Sequence, residues 1–545
     1  MRNLYLIILL LYISAAAFAQ EKKQRPNIIY IMSDDHALQA ISAYGHEISQ
    51  LAPTPNIDRI ATEGVQFNQS FVTNSLCGPS RATMLTGKYS HKNGFRHNAD
   101  TFDGSQNTWI KELGNAGYTT AVIGKWHLKS KPEGFDHWNI LNDQGEYYNP
   151  DFITEGDTTL VEGYTTDLIT DYSIEWLEEQ KQKDEPFALL IHHKAPHRNW
   201  MPPLRYANEF DNVEFPVPDN YFDDYEGRVA AAAQEMNVYR DMQEGHDLKM
   251  SVAEGSDEWR KDIWPHLFAR LTPEQKEAWH TAYREKNDKM NYANFDEKEM
   301  ALWKFQRYLQ DYCGTVKAVD DNVGRVLDYL DENGLAENTI IVYTSDQGFY
   351  LGEHGWFDKR FMYEESFKTP LVMRYPKEIK SGQTTEAFVQ NIDYGPTFLD
   401  FAGVEVPEEM QGESLKPIVK EGNIPADWRS SVYYHYYEYP GFHKVKRQYG
   451  VRTKDYKLIH FYFDNDNYEF YDLNNDPQEM KNEIDNPAYA SQIEELKTEL
   501  ARLMKEADEP DFEEWKDTDY RKEARMKKRK EMMRQKRLQE KNNTK

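Results

Sequence analysis

Short apolar runs, each closing on a cluster of polar residues, alternate along most of the chain with longer amphipathic stretches. Four runs stand out: PNIIYIMSDD from Pro26, TTAVIGKWH from Thr119, FALLIHHKAPH from Phe187 and NTIIVYTSDQG from Asn338. Their apolar residues are consecutive rather than alternating, as in strands buried on both faces of a parallel sheet. With helical stretches between them, they predict an α/β fold with a mostly parallel sheet. In open sheets of this kind, ligands gather beyond the carboxyl ends of the strands. The four runs end in Asp34-Asp35, Lys125-Trp126-His127, His193-Lys194 with His197, and Asp346-Gln347, so one polar site is expected there.

The pattern changes twice further on. Between about residues 225 and 310 a Trp-, Lys- and Glu-rich helical stretch (EQKEAWHTAYREKNDKM) reads as an insertion within a catalytic domain of residues 20–424. Cys313 follows on a strongly helical pattern, as a small buried hydrophobe. Past EGNIPADWR, the segments SVYYHYYEYP, QYGVRTKDYKLIHFY and YEFYDLNNDP are aromatic strands with turn signals, predicting a small antiparallel sheet in a subdomain of residues 425–510. No internal repeat is visible.

The ends of the chain differ from its body. Met1-Arg2-Asn3, the apolar run Leu4 to Ile13 and the small residues Ala17 and Ala19 are ordered as in a secretory signal of residues 1–19, cut after Ala19. The apolar run is shorter than the about 20 residues a bilayer core requires, so no stable membrane anchor is expected. The implied destination is the periplasm or the medium. Residues 511–545 form a charged tail; from Tyr520 onward 12 Lys/Arg against 3 Glu give +9, leaving −36 on residues 1–519 of a chain whose total is −27. So acidic a body argues against nucleic acid as substrate, and the tail reads as a solvated end.

Candidate chemistry sharpens the picture. Asp34 beside Asp35 would repel unless a cation joins them, and Asp346 with Gln347 adds two more hard oxygen donors, suited to Ca²⁺ or Mg²⁺. An exported chain is expected to use its cysteines in disulfides, yet this one has only Cys77 and Cys313. Cys77 lies in LCGPSRATML, and a fixed Cys, Pro, Ser and Arg with one free position arises by chance in well under roughly one chain in a hundred.

CGPSRATMLTGKYSH resembles the signature of the type I sulfatases, in which the cysteine of Cys-x-Pro-Ser-Arg is oxidised to formylglycine. The likeness continues through MSDDH, GKWH, KAPH, SDQGFYLGEHGWFDK and TPLVMRYP, in the family's order, over about residues 26–480. It implies an alkaline-phosphatase-like, mixed but mostly parallel sheet flanked by helices, with the smaller C-terminal antiparallel sheet. It also implies one calcium ion held by Asp34, Asp35, Asp346, Gln347 and the modified Cys77. Gln347 departs from the Asn frequent in the family, which lengthens that ligand's arm. By the same resemblance Arg81 orients the formylglycine hydrate, Lys125 and Lys359 clamp the sulfate, and His127 and His197 move protons. One hydroxyl of the hydrate attacks sulfur, with Asp346 a candidate base, while His197 protonates the leaving sugar oxygen. The second hydroxyl then gives a proton to His127 as sulfate leaves. A formylglycine-generating maturation enzyme is the implied partner.

Five further segments, GFDHWNIL, GEYYNPDF, HHKAPHRNWMPP, GEHGWFDKRFMYEES and YYHYYEYPGFHKVKRQYGVRT, resemble the branch acting on 6-O-sulfated N-acetylglucosamine. The expected substrate is therefore a sulfated polysaccharide or its oligosaccharides. His193, Arg198, Trp200, His354, Arg360, His443 and Arg447 are the candidate sugar contacts. Three readings stay open: a sulfatase of an algal polysaccharide such as ulvan, a phosphodiesterase or phosphonate hydrolase of the same fold, and a glycan-binding protein without catalysis.

Overall fold

All four apolar runs are strands of one ten-stranded sheet, ordered Gln383–Thr385, Val65–Phe67, Leu371–Arg374, Thr339–Ser345, Asn27–Ser33, Phe187–His192, Thr119–Gly124, His137–Leu141, Asp151–Thr154 and Asp157–Leu160. The computed structural model describes residues 25–250, 268–291, 294–463 and 465–510. The expected signal and the basic tail lie outside the described residues. The five central strands are parallel, and antiparallel pairings begin at Leu371–Arg374 on one side and Asp151–Thr154 on the other. Ser33 pairs with Ser345, and His192 with both Met32 and Gly124. Asp34, Asp346, Lys125 and His193, each one residue beyond a strand, therefore leave the sheet at one level.

Alternate residues of the central strands supply two cores. Ile29, Ile31, Ile123, Leu189 and Ile341 pack with Val319, Val323 and Leu327 of the Glu297–Glu332 helix and with Trp176 and Leu177 of Thr165–Gln180. Ile28, Val122, Leu190 and Val342 pack on the other face with Ala82 of the Cys77–Thr86 helix, Ile110 of Trp109–Asn115 and Phe398 of Tyr394–Ala402. Each side chain so buried contributes about 1.5–3 kcal/mol of transfer free energy. The Glu297–Glu332 helix opens with a capping box between Asp296 and Glu299. It carries Cys313, fully buried and unbridged.

The expected insertion is helical only in part. Residues 225–250 are mostly turns, with one short helix, Val229–Ala232. Asn237 accepts the amides of Tyr239 and Arg240, and Asp247 accepts that of Gln243, so side chains take the hydrogen bonds a helix would need. Pro273–Asn291 is helical, and the next helix runs unbroken past Gln310.

Ser431–Tyr436, Gln448–Thr453, Tyr456–Phe461 and Asn467–Asp472 form the small sheet, antiparallel throughout. Ile493, Leu496 and Leu500 of the Ala490–Glu506 helix cover one face. Tyr434, Ile459, Phe461 and Tyr471 on the other join Phe361, Tyr363 and Phe367, from the segment just after Lys359. Among the described residues, no helix is long and apolar enough to cross a membrane.

Candidate active site

Cys77 is the first residue of a ten-residue helix, Cys77–Thr86, buried along its whole length. The close approach explains the small residue that follows: a Cβ on Gly78 would come within 2.5 Å of the Phe95 ring and 2.9 Å of Asn98 Oδ1. Arg81 lies one turn after Cys77 and therefore on the same side of the helix. Its Nε and Nη2 donate to Asp346 Oδ2 at 3.2 and 3.0 Å, Nη1 donates to the Lys125 carbonyl at 2.8 Å, and Nη2 is 3.7 Å from Asp34. Ser80 donates to the Asp346 carbonyl, which ties the helix to the end of the Thr339–Ser345 strand.

Asp34, Asp35, Asp346 and Cys77 offer four ligand atoms within 4.8 Å of one another, all from buried residues. Asp35 holds a left-handed backbone (φ 64°), with its amide donating to Asp346 Oδ1 at 3.0 Å. Tyr312, from the long helix, donates to the Asp35 carbonyl and accepts the Ala37 amide, both at 2.8 Å. Lys359 spans both Asp35 oxygens at 2.5 and 2.7 Å, Lys125 pairs with Asp34, and the Gln347 amide nitrogen donates to Asp35. Asp34 Oδ1 and Gln347 Oε1 are nonetheless buried without a hydrogen-bond partner. Unpartnered acceptors beside three carboxylates are a donor set that fits a hard divalent cation.

Electrostatics separates the roles further. Burial pushes the Cys77 thiol up to about 12, with Lys359 opposing and Asp346 and Asp35 adding to the rise. The unmodified thiol is thus protonated and a poor nucleophile at neutral pH. Burial lowers the Lys125 ammonium, whereas Asp35 beside Lys359 holds that ammonium charged. Burial also lowers His127 and His197, reinforced by Lys125 in both. His197 Nδ1 donates to the Arg198 carbonyl at 2.6 Å, which leaves Nε2 facing Asp35 Oδ2 at 3.8 Å. Its ring keeps some exposure, 17 %, in a site otherwise closed.

The structure brings Cys77, Arg81, Lys125, Lys359, Asp34, Asp35, Asp346, Gln347 and His197 into one cluster, with His127 on the Lys125 loop. Lys194, legible before only as a strand-end residue, belongs here too. It is buried, donates to the Gln144 carbonyl at 3.3 Å and lies 5.0 Å from the Tyr147 ring centre. Gln144, which meets His127 Nε2 at 2.9 Å, had no signal in the sequence beyond its loop position.

The candidate sugar contacts divide. Arg360, next to Lys359, pairs with Asp358, whose other oxygen is 3.2 Å from His443 Nε2. Arg447 stacks over Tyr439, and Arg198, next to His197, makes a bidentate pair with Asp247 at 2.7 Å. Trp200, His193 and His354 instead face the interior. Trp200 is fully buried, 4.5 Å from the Tyr308 ring. His354 Nδ1 is 2.8 Å from Asp223, and its ring lies 5.1 Å from that of Trp356. The His193 ring is enclosed, and burial lowers it to about 4. Their aromatic surface is used in packing, which their positions in the sequence do not disclose.

Three carboxylates and a thiol that could hold a cation, an enclosed residue at a helix start and two buried lysines, gathered beyond the carboxyl ends of a parallel sheet, make up the site of an alkaline-phosphatase-like fold. The sulfatase family model matches residues 26–404, and a model described as N-sulphoglucosamine sulphohydrolase, C-terminal, matches 352–506. The chain belongs to the sulfatase family and is a sulfuric ester hydrolase. It is 51% identical over 509 residues, 92% of this chain and 90% of the other, to an N-acetylglucosamine-6-O-sulfatase of Bacteroides thetaiotaomicron. It is 28% identical to the N-acetylglucosamine-6-sulfatase of Capra hircus, over 77% of this chain and 67% of that protein. A solved structure in complex with its substrate D-glucosamine-2-N,6-O-disulfate superposes with a TM-score of 0.86, at 51% identity, covering 89% of this chain and 99% of that one. Enzymes of this family generally use formylglycine and a divalent metal.

Proposed function

We propose that this sulfatase is exported and removes sulfate from a sulfated polysaccharide or its oligosaccharides, with 6-O-sulfated N-acetylglucosamine as the preferred unit. The observation that carries the reading is the 51% identity, over nearly the whole of both chains, to an enzyme that acts at that position. Arg360, His443, Arg198 and Arg447 are the sugar contacts in this reading: Arg360 and Arg198 directly follow Lys359 and His197 in the chain, and His443 reaches Asp358 beside Lys359.

Asp34, Asp35, Asp346 and Gln347 would hold a calcium ion with the residue at 77, whose conversion to formylglycine by a maturation enzyme supplies a hydrated aldehyde as nucleophile, the cation supplying positive charge beside it. The side chains do the rest. Lys359 and Lys125, released from Asp35 and Asp34 toward the sulfate oxygens, neutralise the charge that grows in the transition state. Arg81 stays forked on Asp346 and holds the helix start in register with the carboxylates. His197 carries its transferable proton on Nε2, because Nδ1 is committed to the Arg198 carbonyl. An arriving sulfate ester offsets the lysines that depress this imidazole, so its protonated form is favoured when there is a sugar oxygen to protonate. His127 receives the proton released in the second half of the reaction. Each such proton transfer is typically worth about 10²–10⁴-fold.

The test is a desulfation screen of matured enzyme on N-acetylglucosamine-6-O-sulfate, heparan-derived 6-O-sulfated glucosamine, ulvan fragments and a phosphodiester. Sulfate release from the 6-O-sulfated glucosamines is expected. Turnover confined to ulvan or to the phosphodiester would overturn the substrate assignment.

A further inference from the structure

The two imidazoles that move protons are both approached by one short loop, Asn142 to Tyr148, to which no role in catalysis has yet been given. Gly145 takes a left-handed backbone (φ 68°) in a tight turn, its amide donating to the Asn142 carbonyl at 2.9 Å, and a Cβ there would meet Leu141 Cδ1 at 2.6 Å. Lys194 holds the turn by donating to the Gln144 carbonyl and lying over Tyr147. Tyr147 donates to the His197 carbonyl at 2.6 Å. The Gln144 amide nitrogen lies 2.9 Å from His127 Nε2, while Gln144 Oε1 is buried without a partner.

We propose that Gln144 is a positioning residue that fixes the tautomer of His127, with hydrogen on Nε2 and the lone pair on Nδ1. An amide and an imidazole can meet in two ways, and each selects one tautomer. If the amide nitrogen donates, Nε2 must be the bare atom and Nδ1 carries the hydrogen. If the amide oxygen accepts, Nε2–H is fixed and Nδ1 is free to take a proton. The second arrangement exchanges the two ends of the amide about the Gln144 side chain, and it gives the unpartnered Oε1 a donor. Asp143 Oδ1 lies 4.0 Å from Nε2, and a carboxylate there favours a hydrogen on that atom. Burial and the nearby cations Lys125, Arg81, Lys129 and Lys359 keep the ring neutral, with a single N–H to place. Nδ1 is buried without a partner, as a base awaiting its proton would be.

The proposal rests on His127 receiving a proton, but the tautomer can be read without turnover. In the full chain with Cys77 unmodified, ¹⁵N-labelled histidine side chains are followed by NMR, the His127 signals being assigned by their loss in His127→Ala. Wild type is expected to show a bare Nδ1 and a protonated Nε2. Gln144→Leu is expected to give a tautomer mixture, whereas Gln144→Glu, which retains an acceptor, keeps the wild-type pattern. Hydrogen on Nδ1 in wild type, or an unchanged pattern in Gln144→Leu, overturns the proposal. In matured enzyme, Gln144→Leu should lower kcat by about tenfold or more with KM within about twofold, and Gln144→Glu should restore much of it. The expected tautomer shift with kcat unchanged would leave the assignment standing and remove His127 from proton transfer.

Discussion

Asp34 Oδ1 and Gln347 Oε1 are buried acceptors that the protein itself leaves without partners, and this makes metal loading measurable as stability. With Cys77 unmodified, added Ca²⁺ should raise the unfolding temperature, by about 2.7 kcal/mol of stabilisation at a hundredfold excess over Kd. Asp34→Asn should abolish most of that shift in a calorimetric titration, and an equal shift in the variant would place the ion elsewhere. Glu469 gives a second residue-level expectation. Burial raises it to about 7, although the Tyr471 and Tyr363 hydroxyls that donate to it, at 2.7 and 2.8 Å, work the other way. Its folded-state value lies above the unfolded one, so its protonated form is favoured by folding. That contribution is complete below about pH 4.5 and is lost as pH rises to about 7, for a loss of at most roughly 3 kcal/mol. Glu469→Gln should therefore flatten the pH dependence of denaturant unfolding over this window and be the more stable protein at pH 8. At this scale the sequence was legible where chemistry needs a particular residue type, as at Cys77, Arg81, Asp34 and Asp346. It was not legible for Gln144 or Trp200, because a loop amide and a loop indole carry no mark of which way they point.

Elements bring these residues together through backbone as much as side chains. The long Glu297–Glu332 helix lies across one face of the sheet, and at the strand ends its Tyr312 hydroxyl bridges the Asp35 carbonyl and the Ala37 amide. Tyr312→Phe removes both bonds while keeping the ring that stacks on Phe349. Two buried backbone groups would then lack partners, at about 1–3 kcal/mol each, and Asp35 would lose a restraint on its left-handed conformation. The variant should lose stability in chemical unfolding and also bind Ca²⁺ more weakly. Loss of stability with unchanged Ca²⁺ affinity would show that the helix supports the sheet but does not position the ligand. The central strands were readable because burial on both faces forces unbroken apolar runs. His137–Leu141, the fifth parallel strand, was not: its first two residues are only partly buried and its run of apolar residues is short. The stretch after Tyr225 misled for the opposite reason, since its helix-favouring composition yields to local side-chain caps at Asn237 and Asp247.

At the scale of the whole molecule, the site belongs to both sheets. Lys359 comes from the main domain, but the chain that follows it packs on the C-terminal sheet, and the two family matches overlap across this segment. The joint is ionic as well as apolar. Lys457, on the small sheet and fully buried, donates to the Met362 carbonyl at 2.7 Å and pairs with Glu364 at 2.8 Å and Glu479 at 2.7 Å. Glu364 also receives Arg452 at 3.3 Å. Lys457→Met keeps the length of the stem but removes the cation paired with Glu479, while Glu364 retains Arg452 and, at 3.0 Å, Lys368. Breaking a buried pair in this way costs about 3–5 kcal/mol. Because Met362 is three residues from Lys359, the loss should also appear in kcat, even at temperatures where the variant is fully folded. Adding Glu479→Gln removes the uncompensated charge and should recover part of the stability, so a double-mutant cycle on unfolding free energy measures the coupling. If Lys457→Met were to unfold within about 0.5 kcal/mol of wild type, the apolar face of the small sheet alone would hold the Lys359 segment in place, and the buried ion network would have no part in positioning Lys359.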